Sequence, residues 1–144
     1  MKKKKRSYSW VWLLFLAFLI FIDQLTKYLA YSTKINQDFG WFSFTFVYNT
    51  GATFGILKDF GPYLAWLSVM ILGAIMYFYD RMPEKSRIFI LLVSAGLIGN
   101  LLDRIMHGFV IDFINLKVWP VFNIADSLVC IGVAGLVIQL WKQA

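Results

Sequence analysis

Four long apolar runs constrain this chain more than any other feature: residues 10–30, 62–79, 87–106 and 123–141. A helix rising about 1.5 Å per residue needs about 20 residues to cross the roughly 30 Å hydrocarbon core of a bilayer. Each run has about that length. With 144 residues, 60% of them hydrophobic and only 15% charged, a soluble domain would have too little interior to hide these runs. The mean hydropathy of +0.67 agrees. The expected fold class is therefore a membrane protein, mainly α, with four transmembrane helices in a single domain over residues 1–144. Pro62 stands at a favoured first helical position of the second run, and Ser86 is the expected N-cap of the third.

Basic residues orient the spans. Lys2–Arg6 (KKKKR) precede the first; Arg81, Lys85 and Arg87 lie between the second and third; Lys142 follows the fourth. The opposite side carries only Lys34, Lys58 and Lys117. Both termini are expected in the cytoplasm. The net charge of +6 is then a topology signal, with no nucleic-acid partner expected. The first run exceeds a cleavable signal sequence and lacks a small-x-small site, so it reads as a retained span. Cys130, the only cysteine, falls inside the fourth span as a lipid- or helix-packed residue, which excludes an intrachain disulfide.

Between the first two spans, Trp41–Tyr48 (WFSFTFVY) alternates. Phe42, Phe44, Phe46 and Tyr48 fall on one face; Ser43, Thr45 and Val47 fall on the other. That period of two, rich in aromatic and β-branched residues, predicts a strand of a small outer antiparallel sheet. Asn49–Gly51 supplies the following turn. The aromatic face suits the headgroup region, either as a plain interfacial belt or as part of a substrate surface.

Polar groups gather at one depth. Asp23 and Lys27 lie four apart in the outer part of the first span, in the favourable order for an ion pair. Asn100, Asp103 and Arg104 end the third span, Asp112 follows in the outer loop, and Asn123 and Asp126 open the fourth. Plainer readings exist for most. Asn123 is a natural N-cap with Asp126 in its first turn, Asp103–Arg104 reads as a structural ion pair, and Asp23–Lys27 reads equally as structural or functional. Asp112 is harder to dismiss, because a carboxylate inside FVIDFI is expensive unless something uses it. No Ser–His or Ser–Lys arrangement and no phosphate-binding loop appears, and His107, the only histidine, suits the interface better than catalysis. No metal or cofactor is expected. Two aspartates brought together remain: a pair sharing one proton can divide the acid and base roles of hydrolysis.

The ordered motifs DQLTK (Asp23–Lys27), NTGATFG (Asn49–Gly55), AGLIGNLLDR (Ala95–Arg104), VIDF (Val110–Phe113) and FNIADS (Phe122–Ser127) resemble bacterial lipoprotein signal peptidase, or signal peptidase II, over nearly the whole chain. The resemblance implies an aspartic endopeptidase of the bacterial cytoplasmic membrane that acts near the outer face. Its substrates would be diacylglyceryl-modified prolipoproteins, cleaved just before the lipidated cysteine. Asp112 and Asp126 are the catalytic pair it implies, with Asp103 a rival for the second position. It assigns site or substrate support to Asp23, Lys27, Asn49, Gly51, Asn100, Asp103, Arg104, Asn123 and Ala125. Two departures stand out. Ala95-Gly96 replaces a frequent Gly-Gly, which predicts slightly looser helix packing, and the stretch between Asp112 and Asp126 is short.

On this reading the signal helix enters sideways among the spans, surrounded by membrane phospholipid, and a monomer suffices. Asp126, near a helix N-terminus, is the expected initial base and Asp112 starts protonated. Lys27 or Arg104 is a candidate for a headgroup phosphate. The competing readings are a small transporter or proton relay, whose polar groups should run through to the cytoplasmic side, and a non-catalytic scaffold.

Overall fold

The computed structural model describes residues 9–51 and 60–142. Lys2–Arg6, Lys58 and the second half of the Asn49–Gly55 motif lie outside the described residues. Four helices, α1 (Ser9–Thr33), α2 (Gly61–Phe78), α3 (Arg87–His107) and α4 (Ile124–Trp141), carry the apolar runs. All four are long and apolar enough to cross a membrane. Their outer faces expose side chains such as Leu13, Phe18, Met70, Val137 and Leu140. Apolar surface this extensive has lipid as its natural solvent.

Local chemistry sets the helix ends. In the last turn of α1 the Thr33 and Ser32 hydroxyls donate back to the Leu29 carbonyl, at 2.7 and 3.1 Å. The helix stops where Lys34 turns left-handed (φ 48°) and the Ile35 N–H reaches back to the Ala30 carbonyl. Ser86 does occupy the N-cap position of α3, but its side chain makes no capping bond. One-turn 3-10 helices at Tyr79–Arg81 and Glu84–Ser86 carry the chain into α3 instead. Gly108, at φ 79°, closes the other end of α3 with its N–H on the Arg104 carbonyl.

β1 (Asn36–Asp38), β2 (Ser43–Asn49) and β3 (Val110–Asn115) form an antiparallel sheet in that order. The predicted strand is β2, shifted toward Asn49. A register irregularity between Phe44 and Val47 breaks its strict alternation. The loop expected around Asp112 is corrected: it is β3. VIDFI is itself a strand pattern, and the carboxylate within it obscured this. Ile111 and Phe113 bury one face against Ala30 at the end of α1, with Phe44, Phe46 and Ile124 packed around them. Asp112 points the other way, as strand alternation requires.

α3 is the central helix and packs most extensively on α4, then on α1 and α2. A Cβ on Gly96 would strike the Ala125 carbonyl and the Val129 side chain, and one on Gly132 would strike Val93 and the Phe89 carbonyl. Small residues thus let the α3 and α4 backbones approach closely. Ala95, beside Gly96, is fully buried at this crossing. We predict that Gly96→Ala lowers stability by about 1–3 kcal/mol through overpacking. Gly73→Ala, where a Cβ meets nothing within 4 Å, should be neutral. Thermal unfolding in detergent checks both, and equal melting temperatures would refute this account of the crossing.

Candidate active site

The site is built around one buried cation. The Lys27 ammonium, 1% exposed, lies 2.9 Å from Asp23 Oδ2 and 3.1 Å from Asp103 Oδ2. It also donates to Asn100 Oδ1 at 2.9 Å. The ion pair predicted from the i, i+4 spacing forms, and a carboxylate from α3 joins it. The remaining acceptor positions are filled from three directions. Asp23 Oδ1 accepts the Ala125 N–H of α4 (2.8 Å), and Asp103 Oδ2 accepts the Ile111 N–H of β3 (3.0 Å). The Gln24 amide of α1 donates to Asp103 Oδ1 (3.0 Å) and the Gly99 carbonyl (3.1 Å). One cluster therefore ties α1, α3, α4 and β3 together.

Two expectations are corrected here. Asp103 pairs with Lys27, not with Arg104. Neighbours on a helix project about 100° apart, so Asp103 faces the interior while half-buried Arg104 turns toward a cavity. Lys27 is also unavailable to a headgroup phosphate, because burial and its acceptors occupy it fully.

Asp112 and Asp126 line a cavity of about 340 Å³ together with Asn49, Gly51, Asn100 and Arg104. Its other walls are mostly apolar, among them Leu67 and Ile71 of α2 and Val129 of α4. Three asparagine amides hold the two carboxylates. Asn49 Nδ2 donates to Asp112 Oδ2 at 2.8 Å, and Asn123 Nδ2 donates to Asp112 Oδ1 at 2.7 Å. Asn100 Nδ2 donates to Asp126 Oδ1 at 2.8 Å. Asn123 also caps α4: its Oδ1 accepts the Asp126 N–H (2.9 Å), and its own N–H reaches Asp126 Oδ2 (3.3 Å). The N-cap reading of Asn123 and its place beside the carboxylates are therefore both correct. Burial pushes the Asp112 carboxyl up to about 7, and the charge of Asp126 adds to this. The Asn49 and Asn123 amides and Lys27 oppose the shift.

The residues singled out from the sequence thus form two shells. Asn49, Gly51, Asn100, Arg104, Asp112 and Asp126 face the cavity. Asp23, Lys27, Asp103, Asn123 and Ala125 lie behind, each with a side chain or backbone group in the network. Gly51 fixes Asn49, donating its N–H to Oδ1 at 3.1 Å. His107 is exposed between the Tyr31 and Phe109 rings and does not line the cavity. Sequence reasoning passed over Gln24, although its place inside DQLTK, beside Asp23, was a usable signal. It also passed over Ser68 and Trp119 on the cavity wall, which no motif marks. Cys130 lies on that wall as well, one turn beyond Asp126, and is exposed.

Removing the central cation leaves two buried carboxylates facing each other. We predict that Lys27→Met destabilises the protein by roughly 3–5 kcal/mol. Adding Asp103→Asn should recover part of that loss. Detergent melting curves of the single and double variants check this, and a single variant as stable as wild type would refute the central role of the cation.

A family profile described as Signal peptidase (SPase) II matches residues 15–142. The lipoprotein signal peptidase of Alteromonas mediterranea is 34% identical over 97% of this chain and 84% of its own length. That of Halothermothrix orenii is 35% identical over 86% of this chain and 90% of its own. Among solved structures, a bacterial membrane enzyme determined in meso at 2.3 Å superposes with a TM-score of 0.85 at 33% identity, covering 94% of this chain and 90% of that one. A second, at 1.9 Å, gives 0.83 at 33% identity over 95% and 96%. Four membrane-length helices, a three-stranded sheet closing one end and a profile match across nearly the whole chain make this a multi-pass membrane protein of the signal peptidase II family.

Proposed function

We propose that Asp112 and Asp126 are the aspartic dyad with which this chain removes the signal peptide from diacylglyceryl-modified prolipoproteins, cutting before the lipidated cysteine. The observation that carries this reading is the pair of carboxylates on one cavity wall, each held by asparagine N–H groups, with Asp112 near the protonation midpoint at neutral pH. A dyad needs one carboxyl protonated and one ionised. Asp112, buried beside another carboxylate, takes the acid role. Asp126, whose carboxylate accepts the Asn100 amide and the Asn123 backbone N–H at the N-terminus of α4, takes the base role.

In this reaction Asp126 accepts a proton from water as the water oxygen bonds to the scissile carbonyl carbon. Asp112 gives its proton to the carbonyl oxygen. The gem-diol then collapses: Asp126 passes its proton to the leaving nitrogen, a gem-diol hydroxyl returns one to Asp112, and the C–N bond breaks. Both carboxyl groups end as they began. Asp103, the rival dyad member, is committed to Lys27, Gln24 and the Ile111 N–H, and it does not line the cavity.

The basic residues flanking the spans support cytoplasmic termini, which puts the sheet and the cavity at the outer face. The apolar cavity walls include Leu67 and Ile71, which are also lipid-exposed on α2; this supports sideways entry of a signal helix from the bilayer. The described buried charges collect at this one end of the bundle, the opposite of a path for protons or solute through the membrane.

Cleavage of a purified diacylglyceryl prolipoprotein in detergent tests the proposal. Asp112→Asn and Asp126→Asn should each lose at least about 10³-fold in kcat while still binding substrate. Asp103→Asn should keep partial activity. Turnover by Asp112→Asn near the wild-type rate would overturn the dyad. The pH profile is a second check. Asp112 must be protonated to act, so its rate should fall as pH rises through about 7. Asn49 favours the ionised form, so Asn49→Ala should move that alkaline limb to higher pH. A limb that stays in place or moves down would count against this assignment.

A further inference from the structure

Asn100 joins the two charged clusters. Its Oδ1 accepts from Lys27 Nζ at 2.9 Å and from Asn123 Nδ2 at 3.1 Å, while its Nδ2 donates to Asp126 Oδ1 at 2.8 Å. Neither donor on Oδ1 can be exchanged for an acceptor. An ammonium group has no acceptor. The Asn123 amide is itself fixed, because its Oδ1 takes the Asp126 backbone N–H at 2.9 Å. A reversed Asn100 amide would set its NH2 against an ammonium and another NH2, and its carbonyl against a carboxylate. Hydrogen-bond partners are what decide an amide's orientation, and here they leave one solution.

We infer that Asn100 is a positioning residue for turnover: Lys27 locks its amide, and the locked NH2 aims the Asp126 carboxylate into the cavity. The inference rests on the dyad reading above. It gives Lys27 a second task, distinct from neutralising Asp23 and Asp103, since changing Asn100 leaves both ion pairs in place. Among the described residues, the charged groups around Asp126 are few. Asp23 of α1 accepts the N–H of neighbouring Ala125, Lys27 acts through Asn100, Asp103 and Arg104 come from α3, and Asp112 comes from β3. The α2 wall contributes no charge.

The test compares wild type, Asn100→Ala, Asn100→Asp and Asp126→Asn on a diacylglyceryl prolipoprotein across pH. Rates are normalised to sites titrated with a reduced-amide substrate analogue, so that only folded enzyme is scored. Displacing a reacting group by about 1 Å can cost on the order of 100-fold. Asn100→Ala should therefore lose roughly 10- to 100-fold in kcat with little change in KM. Asn100→Asp keeps an acceptor for Lys27 but turns an oxygen toward Asp126. Its kcat should be lower still at pH 8 and should recover relative to wild type as pH falls, because the new carboxyl, once protonated, can donate to Asp126. A purely structural role would leave its pH profile parallel to that of wild type. Wild-type kcat in Asn100→Ala, or a parallel profile in Asn100→Asp, overturns the inference. If Asn100→Asp does not fold, the kcat–KM split of Asn100→Ala decides alone. If Asp126→Asn also turns over normally, the dyad reading fails and this inference with it. A dead Asp126→Asn beside a fully active Asn100→Ala sinks the inference alone.

Discussion

Everything at the sheet end of this bundle depends on the Lys27 ammonium. It sits among two carboxylates and an amide oxygen, with both carboxylates fully enclosed. Such a cluster adds little net stability over a well-packed apolar core, because desolvating the charges offsets their attraction. Its effect is on uniqueness. Away from water there is no alternative partner for a misplaced carboxylate. The arrangement that satisfies Asp23, Asp103 and Lys27 together also satisfies the Ala125 and Ile111 N–H groups. Those two N–H groups lie next to Asp126 and Asp112. The structural charges therefore set the positions of the carboxylates that face the cavity.

That dependence explains a division among the acidic residues. Asp23 and Asp103 have a cation within 3.1 Å. Among the described residues Asp112 takes its side-chain hydrogen bonds from the Asn49 and Asn123 amides, and a second carboxylate, Asp126, lines the same cavity. The same element that buries Ile111 and Phe113 against α1 turns Asp112 into this setting, where burial raises its carboxyl to about 7. The asparagine amides keep it aimed without supplying a full opposing charge. A carboxyl that is held in place yet easily protonated at neutral pH suits acid–base work, and a lysine or arginine bonded to it directly in place of the amides would have removed that property.

The sheet also solves a problem of the membrane boundary. A non-helical segment there has backbone groups that lipid cannot satisfy. Pairing β3 with β2, and bridging Ile114 to Phe122, satisfies them while carrying Asp112 and Asn49 to the end of the helices. The Gly96 crossing brings α4 close enough to α3 for Asn100 to reach Asp126. Packing and chemistry are thus coupled through small residues as well as charged ones.

Much of what is local in the chain can be read from its sequence alone. Span positions follow from hydropathy, because lipid selects long apolar helices. β2 follows from alternation, the Asp23–Lys27 pair from i, i+4 spacing, and the Asn123 N-cap with Asp126 in its first turn from local helix-start chemistry. Each partner lies within one helical turn or one strand of the other. The motif order also identified the family. Partners far apart in the chain emerge only from the fold: Lys27 with Asp103, Gln24 with Asp103, Asn49 with Asp112, and Asn100 with Asp126. Adjacency misled at Asp103–Arg104, where successive helical residues face different ways, and a carboxylate disguised β3. Which faces meet depends on how closely helices can approach and on where each buried charge finds its counterpart. Periodicity within a single element carries no information on either.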